Sequence, residues 1–225
     1  MPPGSRAQGT FAGVLRRRRV PTVTAAALLA ASVLATSGCV DSGERVAVLG
    51  DSITALDAEA LEGALGEDYR FTISGNFGYT AAEVTPVAQE LSERSFGQVI
   101  INLGTNDVLQ GGSPSAAVEE IQRQAAMFDD ARCVHVVTVN EHMVDQSTGD
   151  DTGDAARVLN DALEELAAGD DRIDLVDWNA AASESLSDSE GATSTLTSDS
   201  VHPTAEGNRV LNELYQQALA ECGPF

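Results

Sequence analysis

Five short runs of mostly apolar residues recur along this chain from position 46, and a stretch with helical spacing follows each one. The runs are Val46 to Leu49, Phe71 to Ser74, Gln98 to Leu103, Cys133 to Val139 and Arg172 to Val176. Because they do not alternate apolar with polar, both faces of the sheet they form must be covered. The intervening segments, Asp57 to Leu65, Ala81 to Arg94, Ser115 to Asp129 and Ala155 to Ala168, read as helices, and a last helix spans about Thr204 to Glu221. Strands alternating with helices predict an α/β fold: a three-layer α/β/α arrangement around a doubly wound, parallel, five-stranded sheet.

In an open parallel sheet, ligands bind beyond the carboxyl ends of the strands. Gly50-Asp51-Ser52-Ile53 follows the first strand, Gly75 to Thr80 the second and Gly104-Thr105-Asn106-Asp107 the third, while Asp199-Ser-Val-His202-Pro203 precedes the last helix. Each piece alone has an ordinary structural reading: Ser52 as a helix cap, Asn106 as a turn residue, Gly75 or Gly78 as a permissive backbone position, His202 as a loop histidine. Together they hold the parts of a nucleophilic site. A serine hydroxyl needs an imidazole to take its proton, and the imidazole needs a carboxylate to fix its tautomer. Asp199 stands three residues before His202, close enough on a tight turn to reach one ring nitrogen while the other faces Ser52. The Ser52 N–H, a glycine N–H after the second strand and the Asn106 side-chain amide are the candidate donors for an oxyanion.

These blocks resemble those of the SGNH, or GDSL-type, hydrolase superfamily. Gly50-Asp51-Ser52-Ile53 is similar to its nucleophile block, Gly104-Thr105-Asn106-Asp107 to its asparagine block, and Asp199 with His202 to its closing block, in family order and over about residues 46 to 221. For the glycine block, Phe77-Gly78-Tyr79-Thr80 favours Gly78, with Gly75 as the alternative. The resemblance implies a flavodoxin-like fold and ester hydrolysis or acyl transfer through an acyl-serine, with no metal or other cofactor. A narrower similarity, in Leu175-Val-Asp-Trp178 and Ser198 to Thr204, is to the extracytoplasmic SGNH domains of bacterial cell-wall O-acetyltransferases and related esterases. Those domains often carry Gly after the block-three Asn; Asp107 stands here, as in ordinary hydrolases, which favours hydrolysis over transfer. A surface lipoprotein that keeps the fold without catalysis is the non-enzymatic alternative.

Phe77 and Tyr79, flanking Gly78, and Trp178, after the fifth strand, are candidates to line the substrate groove; their structural readings are packing over the second helix and plugging the sheet edge. His135, inside strand four, reads as structural, and His142 as a loop residue. With no close Cys pair and no His-x-x-x-His, no metal is expected.

Arg6 and Arg16 to Arg19 fall in the first 38 residues, which contain no Asp or Glu, and the apolar stretch Val20 to Ala35 follows. This is the pattern of a secretory signal. Leu34-Ala-Thr-Ser-Gly-Cys39 resembles a bacterial lipobox, with Thr36 where Leu is usual. The expected organisation is a lipoprotein-type signal peptide over residues 1–38, a short linker over 39–45 and an SGNH domain over 46–225. Lipidation of Cys39 would anchor the exported domain on the outer face of the cytoplasmic membrane, simple secretion being the alternative. Of the three cysteines, lipidation of Cys39 leaves Cys133 and Cys222 as a pair in an oxidising compartment. Val210, Leu214, Ala218 and Cys222 read as the buried stripe of the last helix, whose end meets the strands' N-terminal edge where Cys133 begins strand four. A Cys133 to Cys222 disulfide is therefore expected, and chain entropy credits so long a loop with roughly 4 kcal/mol.

All thirteen basic residues are arginine, against 35 acids. Five precede residue 39, so the remainder carries eight against 35, a net charge of −27. Nucleic acid is excluded as a partner, since its backbone is bound by clustered Lys and Arg. The same charge disfavours polyanionic substrates and points to small neutral esters or acylated glycans. Asp145 to Asp154 and Ser183 to Ser198, rich in Ser, Thr, Asp and Gly, are expected as surface loops; the second leads into the Asp199–His202 segment, with a plain solvated loop as its default reading and a border of the site as the alternative.

Overall fold

The computed structural model describes residues 43–186 and 194–223. The leader, Cys39 and most of the expected linker lie outside the described residues, as do positions 187–193 of the second loop. Strands β1 (Glu44–Gly50), β2 (Tyr69–Gly75), β3 (Gln98–Asn102), β4 (Cys133–Val137) and β5 (Ile173–Val176) all pair in parallel, in the order β2-β1-β3-β4-β5. They alternate with helices α1 (Ser52–Leu65), α2 (Ala81–Ser92), α3 (Thr105–Leu109), α4 (Pro114–Met127), α5 (Gly153–Gly169), α6 (Trp178–Glu184) and α7 (Ala205–Glu221). The chain steps from β1 outward to β2, then crosses back over β1 to β3 and continues the other way. That reversal opens a crevice beyond the carboxyl ends of β1 and β3.

Burial explains the strand composition. Every residue of β3 is buried, as are the last five of β1. Ala47, Leu49, Val99 and Ile101 face the layer formed by α2, α4 and α5, whereas Val46, Val48 and Ile100 face α1, α6 and α7. Removing each of these Val, Leu and Ile side chains from water stabilises the fold by roughly 1.5–3 kcal/mol. Strand β2 lies at the sheet edge and is only half-buried, which accommodates Thr72 and Ser74.

Two helices escape the sequence reading. Helix α3 has five residues and α6 has seven, too few for a helical period to show. The last helix is also turned by one position: its buried line is Gly207, Leu211, Tyr215 and Leu219, with Val210, Leu214 and Ala218 packed at the margin. Cys222 is nonetheless buried just past the end of α7 and is disulfide-bonded to Cys133, with a Cα–Cα distance of 6.1 Å and 89 residues between them. Beside this bond, Arg132 ion-pairs with Glu44 and donates from Nε to the Gly223 carbonyl. His135 is fully buried and sits 2.8 Å from Gln98 Oε1 through Nε2, a structural position; burial lowers its pKa and keeps the ring neutral.

Candidate active site

Ser52 is the first residue of α1, and the cap before it is Asp51, whose Oδ1 accepts the Ile53 N–H at 2.9 Å. The serine is therefore free of the capping role and stands where the helix begins, at the carboxyl end of β1. His202 comes from the segment before α7. Its Nε2 lies 2.9 Å from Ser52 Oγ, and its Nδ1 lies 2.8 Å from Asp199 Oδ2. The other oxygen, Asp199 Oδ1, accepts the backbone N–H groups of His202 at 2.7 Å and Val201 at 3.1 Å. Burial by itself would raise the Asp199 pKa, but the hydrogen bonds from the His202 ring and the two backbone amides outweigh it and hold the carboxyl below its ordinary value. An ionised Asp199 accepts from Nδ1–H, which leaves Nε2 unprotonated and facing the serine hydroxyl. Ser52 is 6% exposed, so the oxygen is reached only through the crevice.

On the other side of the serine, Asn106 occupies the first turn of α3. Its Nδ2 donates to the Tyr79 carbonyl at 3.0 Å and to Asp51 Oδ2 at 3.3 Å. Both amide hydrogens are thus engaged at rest, and an oxyanion would displace the longer contact. Asp51 is fully buried, and its pKa is pushed up to about 7, chiefly by burial, with the Ile53 N–H and His202 opposing and Asp107 adding.

The two glycines after β2 separate cleanly. A side chain on Gly75 would come within 2.3 Å of the Ala55 backbone nitrogen, so this glycine is required for α1 to pack against β2. Gly78 has φ +76 and open space around it; its carbonyl accepts from Gln110 Nε2 at 2.8 Å. Asp107 Oδ2 accepts the first N–H of α2, from Ala81, at 2.9 Å. Helix α3 and its C-cap residue therefore fix the segment 78–81 at three points: Asn106, Asp107 and Gln110.

A cleft of about 350 Å³ opens over the serine, lined by Ser52, Asn106 and His202 together with Val144, Gln146 and Ser147. The first expected loop, Asp145 to Asp154, thus borders the site, pinned by the Val144–Asp151 bridge. Three expected lining residues fall elsewhere. Phe77 and Tyr79 are 66% and 41% exposed beside the cleft and are not part of its lining. Trp178 is 2% exposed: Asp177 caps α6, and the tryptophan at its first position is packed into the core under the sheet edge. His142 is exposed, with Nε2 3.0 Å from Ser183 Oγ, and does not line the cleft.

The family model of the GDSL-like lipase/acylhydrolase family matches residues 48–210. The chain belongs to that family. Among solved structures it is similar to a GDSL-like lipase from Bacteroides thetaiotaomicron, at a TM-score of 0.66 and 22% identity over 79% of this chain and 88% of that one. It is likewise similar to an acetyl xylan esterase, at 0.60 and 20% over 78% and 99%. A third likeness is to the C-terminal catalytic domain of Streptococcus pneumoniae peptidoglycan O-acetyltransferase A, at 0.61 and 18% over 80% and 94%. At these identities the likenesses establish the fold. No curated protein matches.

What sequence reasoning missed is the support of this GDSL-family site. Gln110, Asn140, Gln146 and Ser200 all hold backbone groups of the loops that carry it.

Proposed function

We propose that the protein hydrolyses carboxylic esters through an acyl-serine formed on Ser52. The observation that carries this reading is the continuous pair of short contacts, 2.9 Å from Ser52 Oγ to His202 Nε2 and 2.8 Å from His202 Nδ1 to Asp199. His202 Nε2 takes the hydroxyl proton as Oγ bonds to the ester carbonyl carbon. The carbonyl π pair moves onto oxygen, where the N–H groups of Ser52 and Gly78 and the Asn106 amide stabilise it. Losing one such donor typically slows turnover roughly 100–1,000-fold. As the tetrahedral intermediate collapses, the C–O bond to the alcohol breaks and His202 returns the proton to the leaving alkoxide. Water, deprotonated by the same nitrogen, then attacks the acyl carbon; as the acyl–Oγ bond breaks, His202 returns that proton to Ser52 Oγ and the acid is released. Asp199, held ionised, stabilises the imidazolium formed in each half.

Gln146 and Ser147 line the same cleft as His202, and their polar side chains suit a hydroxyl-bearing alcohol moiety such as a glycan. Similarity to an O-acetyltransferase domain supports a second reading, in which a saccharide hydroxyl replaces water. The Arg run, the apolar stretch and the lipobox-like Cys39 support export and lipid anchoring, and the Cys133–Cys222 disulfide suits an oxidising compartment.

The test is Ser52→Ala. It should abolish turnover of a short p-nitrophenyl ester and labelling by a fluorophosphonate, with the thermal midpoint retained. Undiminished hydrolysis by a folded Ser52→Ala protein would refute the nucleophile assignment.

A further inference from the structure

Among the described residues, Ser200 is the one non-glycine residue with positive φ, at 68°. It lies between Asp199 and His202, so the direction of this turn sets where the imidazole points. Left-handed backbone is unfavourable for a residue with a side chain and persists where surrounding contacts enforce it. Here those contacts are on the page. Asn140 Nδ2 donates to the Ser200 carbonyl at 2.8 Å, and the Val144 N–H donates to Ser200 Oγ at 3.0 Å. One residue upstream, Gln146 Nε2 donates to the Asp199 carbonyl at 3.0 Å.

We propose that Asn140 is a positioning residue for the Asp199–His202 pair, acting through the left-handed backbone of Ser200. The proposal rests on the acyl-serine reading above. Asn140 suits the task because it is itself immobilised. It is 3% exposed, and its Oδ1 accepts the His142 N–H at 2.9 Å. Its neighbours are fixed from two helices. Asn160 of α5 accepts the Val139 N–H and donates to the Val139 carbonyl, both at 2.9 Å, and Asn179 of α6 accepts the Glu141 N–H at 2.9 Å. The segment leaving β4 is thereby a rigid platform, and Asn140 transmits that rigidity to the histidine segment across 60 positions of sequence.

The experiment compares the parent chain with Asn140→Ser and with Asn140→Ser/Ser200→Gly. Serine keeps an oxygen for the His142 N–H and removes the donor to Ser200. Misplacing a reacting group by about 1 Å lowers turnover about 100-fold, and that fall is expected in kcat, with KM within about two-fold. Glycine adopts the left-handed conformation without steric penalty, so the second substitution should regain at least about ten-fold in kcat. A downfield proton signal from the His202 Nδ1–H, absent from His202→Ala, should vanish in Asn140→Ser and return in the double variant. If the parent hydrolyses no ester, the acyl-serine reading fails, while this signal still decides the role of Asn140. Parent-like turnover and signal in Asn140→Ser, a loss that Ser200→Gly leaves unrecovered, or an unfolded Asn140→Ser chain would each overturn the proposal.

Discussion

Replacing Asp57 by asparagine should stabilise the domain in mildly alkaline solution and leave it unchanged in acid. Asp57 lies in α1 facing α7, 2% exposed, and Asn212 Nδ2 donates to its Oδ1 at 3.1 Å. Burial raises its pKa from 3.8 to about 6, and the Asn212 contact offsets only part of that rise. Below pH 3.8 both folded and unfolded chains are protonated, and this group favours neither. Between the two values folding takes up a proton, so stability falls as pH rises; above about 6 both states are ionised and the loss is complete. At 1.36 kcal/mol per pK unit, the shift corresponds to roughly 3 kcal/mol withheld at pH 8. Asparagine keeps the shape and the oxygen that accepts from Asn212 but carries no charge. Its added N–H₂ has an acceptor at hand, since Asn212, already in contact with this side chain, has a buried Oδ1 without a partner. For a domain of this size the gain amounts to a rise in Tm of about 6–12 °C at pH 8. Calorimetric melts of both proteins from pH 4 to 8 would read it. An equal shift at both ends of that range, or a lower Tm for Asp57→Asn at pH 8, refutes the reasoning, because the cost would then lie in packing rather than in ionisation.

Removing the disulfide with Cys133→Ser/Cys222→Ser should lower stability by roughly 4 kcal/mol, since the bond closes a very long loop; an unchanged denaturant midpoint would count against the chain-entropy account. For the leader, expression of the full chain in a bacterial host fed labelled palmitate should label the protein and carry it into the detergent phase. Cys39→Ser should do neither, and equal labelling of that variant would place the acyl group elsewhere.

The residues proposed to perform chemistry were legible because chemistry restricts residue type. A serine hydroxyl needs a base and the base needs an orienting carboxylate, so Asp199 three positions before His202 stood out, and the 2.9 and 2.8 Å contacts bring the three together. The strands were legible for a similar reason: covering both faces of β1 and β3 leaves no room for alternation. Support was not legible, because a backbone carbonyl accepts from any donor that reaches it. Nothing in Asn140 or Gln110 alone distinguishes them from ordinary loop polar residues, since their partners, Ser200 and Gly78, are 60 and 32 positions away. Trp178 shows the converse error. An aromatic after a strand's carboxyl end suggests a pocket wall, but Asp177 capping α6 turns the chain there and places the ring in the core. Ser200 sits between these cases. Its strain invites a functional reading once φ is known, yet a serine between Asp and Val carries no sign of a left-handed backbone. The Asp199–His202 pair thus flanks a conformation its own segment disfavours, and the contacts that hold it come from the segment after β4.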